Sequence, residues 1–289
     1  MRTKISAGIG ALLASVLAIF ALLYVETGEV NDRMRLISSE LGPRIDAAFE
    51  IEVNSNGLAL ATLAFLQSGS EGSFDQALEG ERDLAHWAAQ LELLDQRFGA
   101  AVQQTTERLS SRSGDAIRHA REKADVAREV RDAAADLITH LKDLSGVGPG
   151  AASERPREVV RDAARAVVAI VDEVSRSSSP GSGSDVGRAS RFLQGAVQAL
   201  GDDLDGAVAR ALMDESREIG RASRRVLVQQ DLLVDATEGM LAERDRLDVL
   251  LDKRVQPATL RELGDARGAV VGASDRLVGS VVVVVPLFL

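Results

Sequence analysis

A chain of 289 residues is long enough for one large domain or two small ones. Its residues are 45 % hydrophobic but only 3 % aromatic, which argues against a compact enzyme core built on large rings and favours long helices packed through Ala, Leu and Val. The formal net charge of −10 argues against a nucleic-acid partner, which needs a clustered basic surface; the absence of cysteine fits an oxidising compartment without establishing one.

The first element is an uncharged run from Ile5 to Val25, about the length that crosses a bilayer core as a helix. Arg2 and Lys4 precede it within a cytoplasmic stub at 1–4, and Glu26, Glu29 and Asp32 follow it. That asymmetry predicts a transmembrane helix over 5–25 with its N-terminus inside, and Tyr24 at the outer headgroup level. A cleavable signal peptide is the competing reading. Cleavage after Ala21 would put Ile19 at the −3 position, and cleavage after Ala18 would put Val16 there, where a small residue is needed. The uncleaved anchor is therefore the better reading.

From 26 to 276 helical periodicity dominates and predicts an extracytoplasmic, all-α domain. The first helix carries Ile45, Phe49, Val53, Asn56, Leu60 and Leu63 at steps of three and four, which predicts one packed face with Asn56 on it. Trp87, Leu91, Leu94, Phe98, Val102 and Leu109 predict a second face, and Val130, Ala134, Leu137, Leu141 and Leu144 a third. Leucines from Leu227 to Leu251 mark further apolar positions among Glu, Arg and Asp. Breaks are expected at Ser68–Ser73 (SGSEGS), Ser110–Gly114 (SSRSG), Ser145–Ser153 (SGVGPGAAS) and Ser177–Ser184 (SSSPGSGS), with weaker ones between Gly201 and Gly220 or at Pro257.

Length then restricts topology. A helix over 26–67 rises about 60 Å, whereas one uninterrupted return helix over 74–145 would run about 108 Å, so Ser110–Gly114 is expected to be a turn or sharp kink. The last thirteen residues, Leu277–Leu289 (LVGSVVVVVPLFL), are uncharged and read as the start of a truncated second transmembrane helix, with a C-terminal strand or hydrophobic tail as the plainer alternative. Two anchors in one bilayer demand an even number of crossings. The expected architecture is an elongated antiparallel bundle of six helices in two stacked modules; four very unequal helices are the alternative.

This arrangement resembles the helical sensory regions of bacterial transmembrane receptors, chemoreceptors and sensor histidine kinases among them. The sequence likeness lies in Ile51–Ser70 (IEVNSNGLALATLAFLQSGS), followed by Phe74 and the charged helix from Glu79, which looks like the first hairpin of four-helix-bundle sensor domains. The size of the region is nearer the helical bimodular type, which stacks two bundles. The resemblance implies a ligand-sensing input module in a bacterial inner membrane, with the bulk periplasmic. A displacement of the final helix would pass to a cytoplasmic output domain. The expected partners are the membrane, a second copy of the chain, and a small organic ligand or a periplasmic binding protein. A membrane-tethered helical scaffold without a ligand is the rival reading.

Candidate ligand residues follow from side-chain chemistry. Arginine forks grip both oxygens of a carboxylate, which selects Arg44 on the first helix and Arg217, Arg221 and Arg224 on one face of a late one, beside Arg225. Asp214, Glu215 and Glu218 lie among the late arginines, so surface pairing is the plainer account. Asn56 on the apolar stripe, with Asn54 one face away, offers an amide to a ligand or simply fixes helix register. His86, His119 and His140 are too scattered for a metal site, and no phosphate loop, nucleophile elbow or zincin motif occurs. Neither an enzyme activity nor a cofactor is expected.

Overall fold

The computed structural model describes the backbone of residues 2–146, 154–176, 183–201 and 206–284, and most of their side chains from residue 16 onward. The described residues are helical, with no strand among them. In chain order the helices are α1 (Arg2–Leu36), α2 (Gly42–Ser68), α3 (Glu71–Leu94), α4 (Gly99–Gly146), α5 (Glu154–Arg176), α6 (Gly183–Gly201), α7 (Gly206–Leu250) and α8 (Gln256–Val284). Single π-turns at Ile37–Leu41 and Leu251–Val255 join α1 to α2 and α7 to α8 without a break. The described residues therefore form six continuous helical runs, the number expected from the sequence.

Each π-turn sits just ahead of a proline, Pro43 or Pro257. Proline has no N–H for the carbonyl four residues back, and its ring collides with that carbonyl. A one-residue bulge lets the carbonyl slip aside: the N–H of Gly42 reaches Ile37 O and that of Gln256 reaches Leu251 O. The hydroxyls of Ser38 and Ser39 both donate to Arg35 O at the first bulge. Pro257 thus marks a bulge rather than the break it suggested.

The α2–α3 turn falls where SGSEGS predicts it. Gly69 takes φ +65° and its N–H bonds to Phe65 O at 2.7 Å, a left-handed helix stop that a side chain would strain. The next turn does not fall where expected. Ser110–Gly114 lies inside α4, which runs unbroken for 48 residues, and the chain reverses instead between Leu94 and Gly99. Two causes are visible. Ser113 is buried in the helix with its hydroxyl 2.7 Å from that of Thr62 on α2, so the small residue serves a close helix contact. Asp95 caps α4, its Oδ1 accepting from the N–H groups of Arg97 and Phe98 at 2.9 and 3.2 Å. The stretches 147–153, 177–182 and 202–205, where other breaks were expected, lie outside the described residues.

The chain divides into two units. Unit 1 comprises residues 1–59, 75–109 and 242–289. In it the first and last helices run antiparallel: Glu26 and Glu29 pair with Arg276, Arg44 with Glu262, and Glu52 with Gln256. Unit 2 comprises residues 60–74 and 110–241. Its core is a four-helix arrangement of α4 (Val130, Leu137, Leu141), α5 (Val167, Ile170), α6 (Leu193, Val197) and α7 (Leu212, Ile219, Val226), all essentially inaccessible.

The inward face of α2 is not the predicted one. Arg44, Ala48, Ile51, Ser55, Leu58, Thr62 and Phe65 are buried, at steps of four and three. Small residues on that face permit close approach; a Cβ on Gly80 of α3 would stand 3.4 Å from the Leu58 backbone. The stripe carrying Phe49, Val53 and Leu60 points the opposite way, into solvent. Among the described residues no helix is long and apolar enough to cross a membrane. Most side chains of the apolar run at 5–25, and nearly all of those at 277–289, lie outside the described residues.

Candidate functional site

The predicted arginines fall into two settings. In unit 2, α4 and α7 are zipped antiparallel by a ladder of polar pairs. Arg112 meets Asp235 at 3.3 Å, His119 meets Gln229 at 2.8 Å, and Lys123 donates to Gln230 at 2.6 Å. Arg225 pairs with Glu129, and His140 with Glu215 at 2.8 Å. Burial pushes the Lys123 ammonium below its ordinary range. The hydrogen bond that His140 Nδ1 donates to the Glu215 carboxylate, reinforced by its charge, raises the His140 pKa.

Two grooves flank the Arg225–Glu129 pair. One, of about 520 Å³, is lined by Glu129, Asp214, Arg217, Glu218, Arg221 and Arg225. The other, of about 440 Å³, has Arg224 and Arg225 facing Glu122 and Asp125 across Val126 and Val228. The predicted trio is therefore divided: Arg217 and Arg221 open on one groove, Arg224 on the other. Arg217 is paired with Asp214 at 3.3 Å. Among the described residues Arg221 and Arg224 have no acidic partner within 4.0 Å, so their guanidinium forks are the ones able to receive a carboxylate. The larger groove balances three cations against three carboxylates, a pattern suited to a zwitterion rather than to a highly charged anion.

Arg44, in unit 1, is committed inward. Its Nη1 donates to Glu262 Oε2 at 2.9 Å and stands 3.5 Å from Asp95 Oδ2, while Nη2 donates to Leu94 O at 2.9 Å. Arg97 pairs with the same Glu262 from the turn above. One guanidinium thus ties α2, the α3–α4 turn and α8 together. Sequence periodicity missed this node because Asp95 and Glu262 read as ordinary helix-surface acids; the Asp four residues ahead of Gly99 was the available signal. Asn54 and Asn56 are half-buried and donate to the carbonyls of Glu50 and Glu52 on their own helix, at 2.8 and 3.1 Å. The structure does not bring them to either groove.

No cluster able to hold a metal ion occurs among the described residues. No family model, curated protein or solved structure matches the chain.

Proposed function

We propose that the chain is the ligand-sensing input module of a bacterial inner-membrane signal receptor. In this reading residues 5–25 and the run from Leu277 are membrane spans, the helices between them are periplasmic, and α8 carries a displacement to a cytoplasmic output domain. The observation that supports it most is the antiparallel pairing of α1 with α8, locked by Arg276 on Glu26 and Glu29. Those charges lie just beyond the two apolar runs, so both would enter one bilayer side by side. Packed helices of this kind favour discrete arrangements over continuous deformation, which is what a transmitted shift requires. The α4–α7 grooves are the ligand sites of this reading, with Arg221 and Arg224 receiving the carboxylate of a small amino acid or organic acid.

The rival scaffold reading draws on the internal commitment of Arg44 and Arg217. Two measurements separate the readings. A phosphatase fused at residue 150 is active outside the membrane if the topology is right; activity confined to a cytoplasmic reporter sinks it. The full chain in detergent micelles, screened by thermal shift against amino acids and organic acids, gains a saturable stabilisation that Arg221→Ala weakens. Silence across the screen supports the scaffold, or a receptor that reads a binding protein.

A further inference from the structure

The node around Arg44 does not satisfy all of its buried polar atoms. Arg44 and Asp95 are 9 and 1 % exposed, yet Arg44 Nε and Asp95 Oδ2 have no hydrogen-bond partner among the described residues. Arg44 Nη1 donates to Glu262 Oε2 at 2.9 Å and stands 3.5 Å from Asp95 Oδ2. A shift of about 0.6 Å toward Asp95 would turn that second contact into a hydrogen bond. Two carboxylates thus compete for one donor, and they differ in what losing it means. Asp95 is sealed from water, so its carboxylate gains most from a charged donor. Glu262 is 37 % exposed and its Oε1 is also held by Arg97, so water and Arg97 suffice for it when Arg44 leaves. The exchange trades one charge-assisted hydrogen bond for another of the same kind, which keeps the two arrangements close in energy.

We infer that Glu262 is a release latch for α8, with Arg44 as its exchangeable partner. In the held state its carboxylate bridges Arg44 of α2 and Arg97 of the α3–α4 turn. In the released state Arg44 Nη1 bonds Asp95 Oδ2 instead, and α8 loses its tie to α2 at this level. The latch deepens the receptor reading above and rests on it for the purpose of the movement, since α8 is the displaced helix there.

The packing of α8 fits a helix that polar ties hold in place. It turns Thr259, Ala266 and Ala273 inward, while Leu260 and Val271 are 56 and 59 % exposed. The Thr259 hydroxyl donates to Val255 O of its own helical run rather than across to a neighbour. Small inward residues bury little apolar area, so more of the hold falls on pairs such as Arg44–Glu262. Both latch residues also follow a π-turn: Arg44 comes three residues after Leu41, and Glu262 seven after Val255. Helices bend at such bulges, so each arm of the latch lies beside a point of give.

Amide hydrogen exchange along α8, in the full chain in nonionic detergent, reads the two states. Glu262→Gln removes the charge that binds Arg44 and should speed exchange over 259–273 by about five-fold. Arg97→Gln, at a side chain 55 % exposed, removes the second hold and should speed it by about two-fold. Asp95→Asn keeps an oxygen to cap α4 but takes away the competing charge, so it should slow exchange over 259–273 by about two-fold. The opposite sign is the signature, because a node that only held the fold together would loosen α8 in all three variants. Faster exchange in Asp95→Asn, or unchanged exchange in Glu262→Gln or Arg97→Gln, overturns the inference. Unfolding of Asp95→Asn overturns it as well, since the held state does not depend on that charge. The phosphatase fusion at residue 150 reports separately on the receptor reading, so the two failures are distinguishable.

Discussion

Replacing Arg44 by leucine is the sharpest test of how unit 1 is held. The substitution removes two hydrogen bonds, to Glu262 and to Leu94 O, and the guanidinium 3.5 Å from Asp95 Oδ2, leaving Asp95 only the exposed Arg97, 3.9 Å from Oδ1, among the described cations. Asp95 is 1 % exposed and its Oδ2 has no hydrogen-bond partner, so it depends chiefly on Arg44 for charge compensation, Arg97 being half exposed and farther from the carboxylate. Glu262, at 37 % side-chain exposure, is rehydrated at little loss. The cost therefore falls on Asp95 and on the orphaned Leu94 carbonyl, about 3–5 kcal/mol for one partner taken from a buried pair. Asp95→Asn removes the charge while retaining an oxygen to accept the Arg97 and Phe98 N–H groups. In the Arg44→Leu background it should recover about 2 kcal/mol. The assay is urea unfolding of the full chain in nonionic detergent, followed by the fluorescence of Trp87, the chain's single tryptophan, which lies in unit 1. A loss below about 1 kcal/mol for Arg44→Leu, or a double variant no more stable than the single one, refutes the reasoning.

Four other outcomes are expected. Gly99→Ala places a Cβ 2.4 Å from Glu92 Cα, a backbone collision that should lower stability by about 1–3 kcal/mol in the same urea assay. Gly114→Ala, with nothing within 4 Å, should instead raise it by up to about 1 kcal/mol; a loss there would mean that α4 is not continuous through Ser110–Gly114. His140 should titrate above the ordinary value of 6.5 by NMR, and Glu215→Gln should bring it down. Because its folded pKa is raised, its stabilising contribution is complete in acid, below the ordinary histidine range, and is lost as pH rises through the folded value. Arg121 lies 4.0 Å over the Phe74 ring and 5.4 Å over Phe65, so Arg121→Gln should weaken the α2–α3 turn by about 1 kcal/mol. Faster amide exchange at Gly69–Phe74 is the readout; unchanged protection there would remove the cation–π account.

Much of the fold is legible in the sequence. Low aromatic content, few prolines and steps of three and four specify helices, and Ser-Gly clusters locate the α2–α3 turn, because these are local properties of the chain. Six helical runs follow from length and from the breaks. The site is less legible. Arg221 and Arg224 stand out, as forks with no acidic partner among the described residues, only once Asp214 is seen on Arg217 and Glu129 on Arg225, and the split between two grooves depends on α4 lying against α7.

Tertiary contacts decided what local signals left degenerate. On α2, two interleaved lines satisfy helical spacing, one through Phe49, Val53 and Leu60 and one through Ala48, Ile51, Ser55, Leu58 and Thr62. Hydrophobicity favours the first. Close packing selects the second: Gly80 lets α3 approach the Leu58 backbone, and Ser113 lets α4 approach Thr62. The turn was likewise settled at Asp95, because a buried carboxylate can cap α4 there only with Arg44 arriving from α2. No local pattern carries that information: Arg44 reaches the Leu94 carbonyl 50 positions along the chain, and Thr62 meets Ser113 51 positions along it.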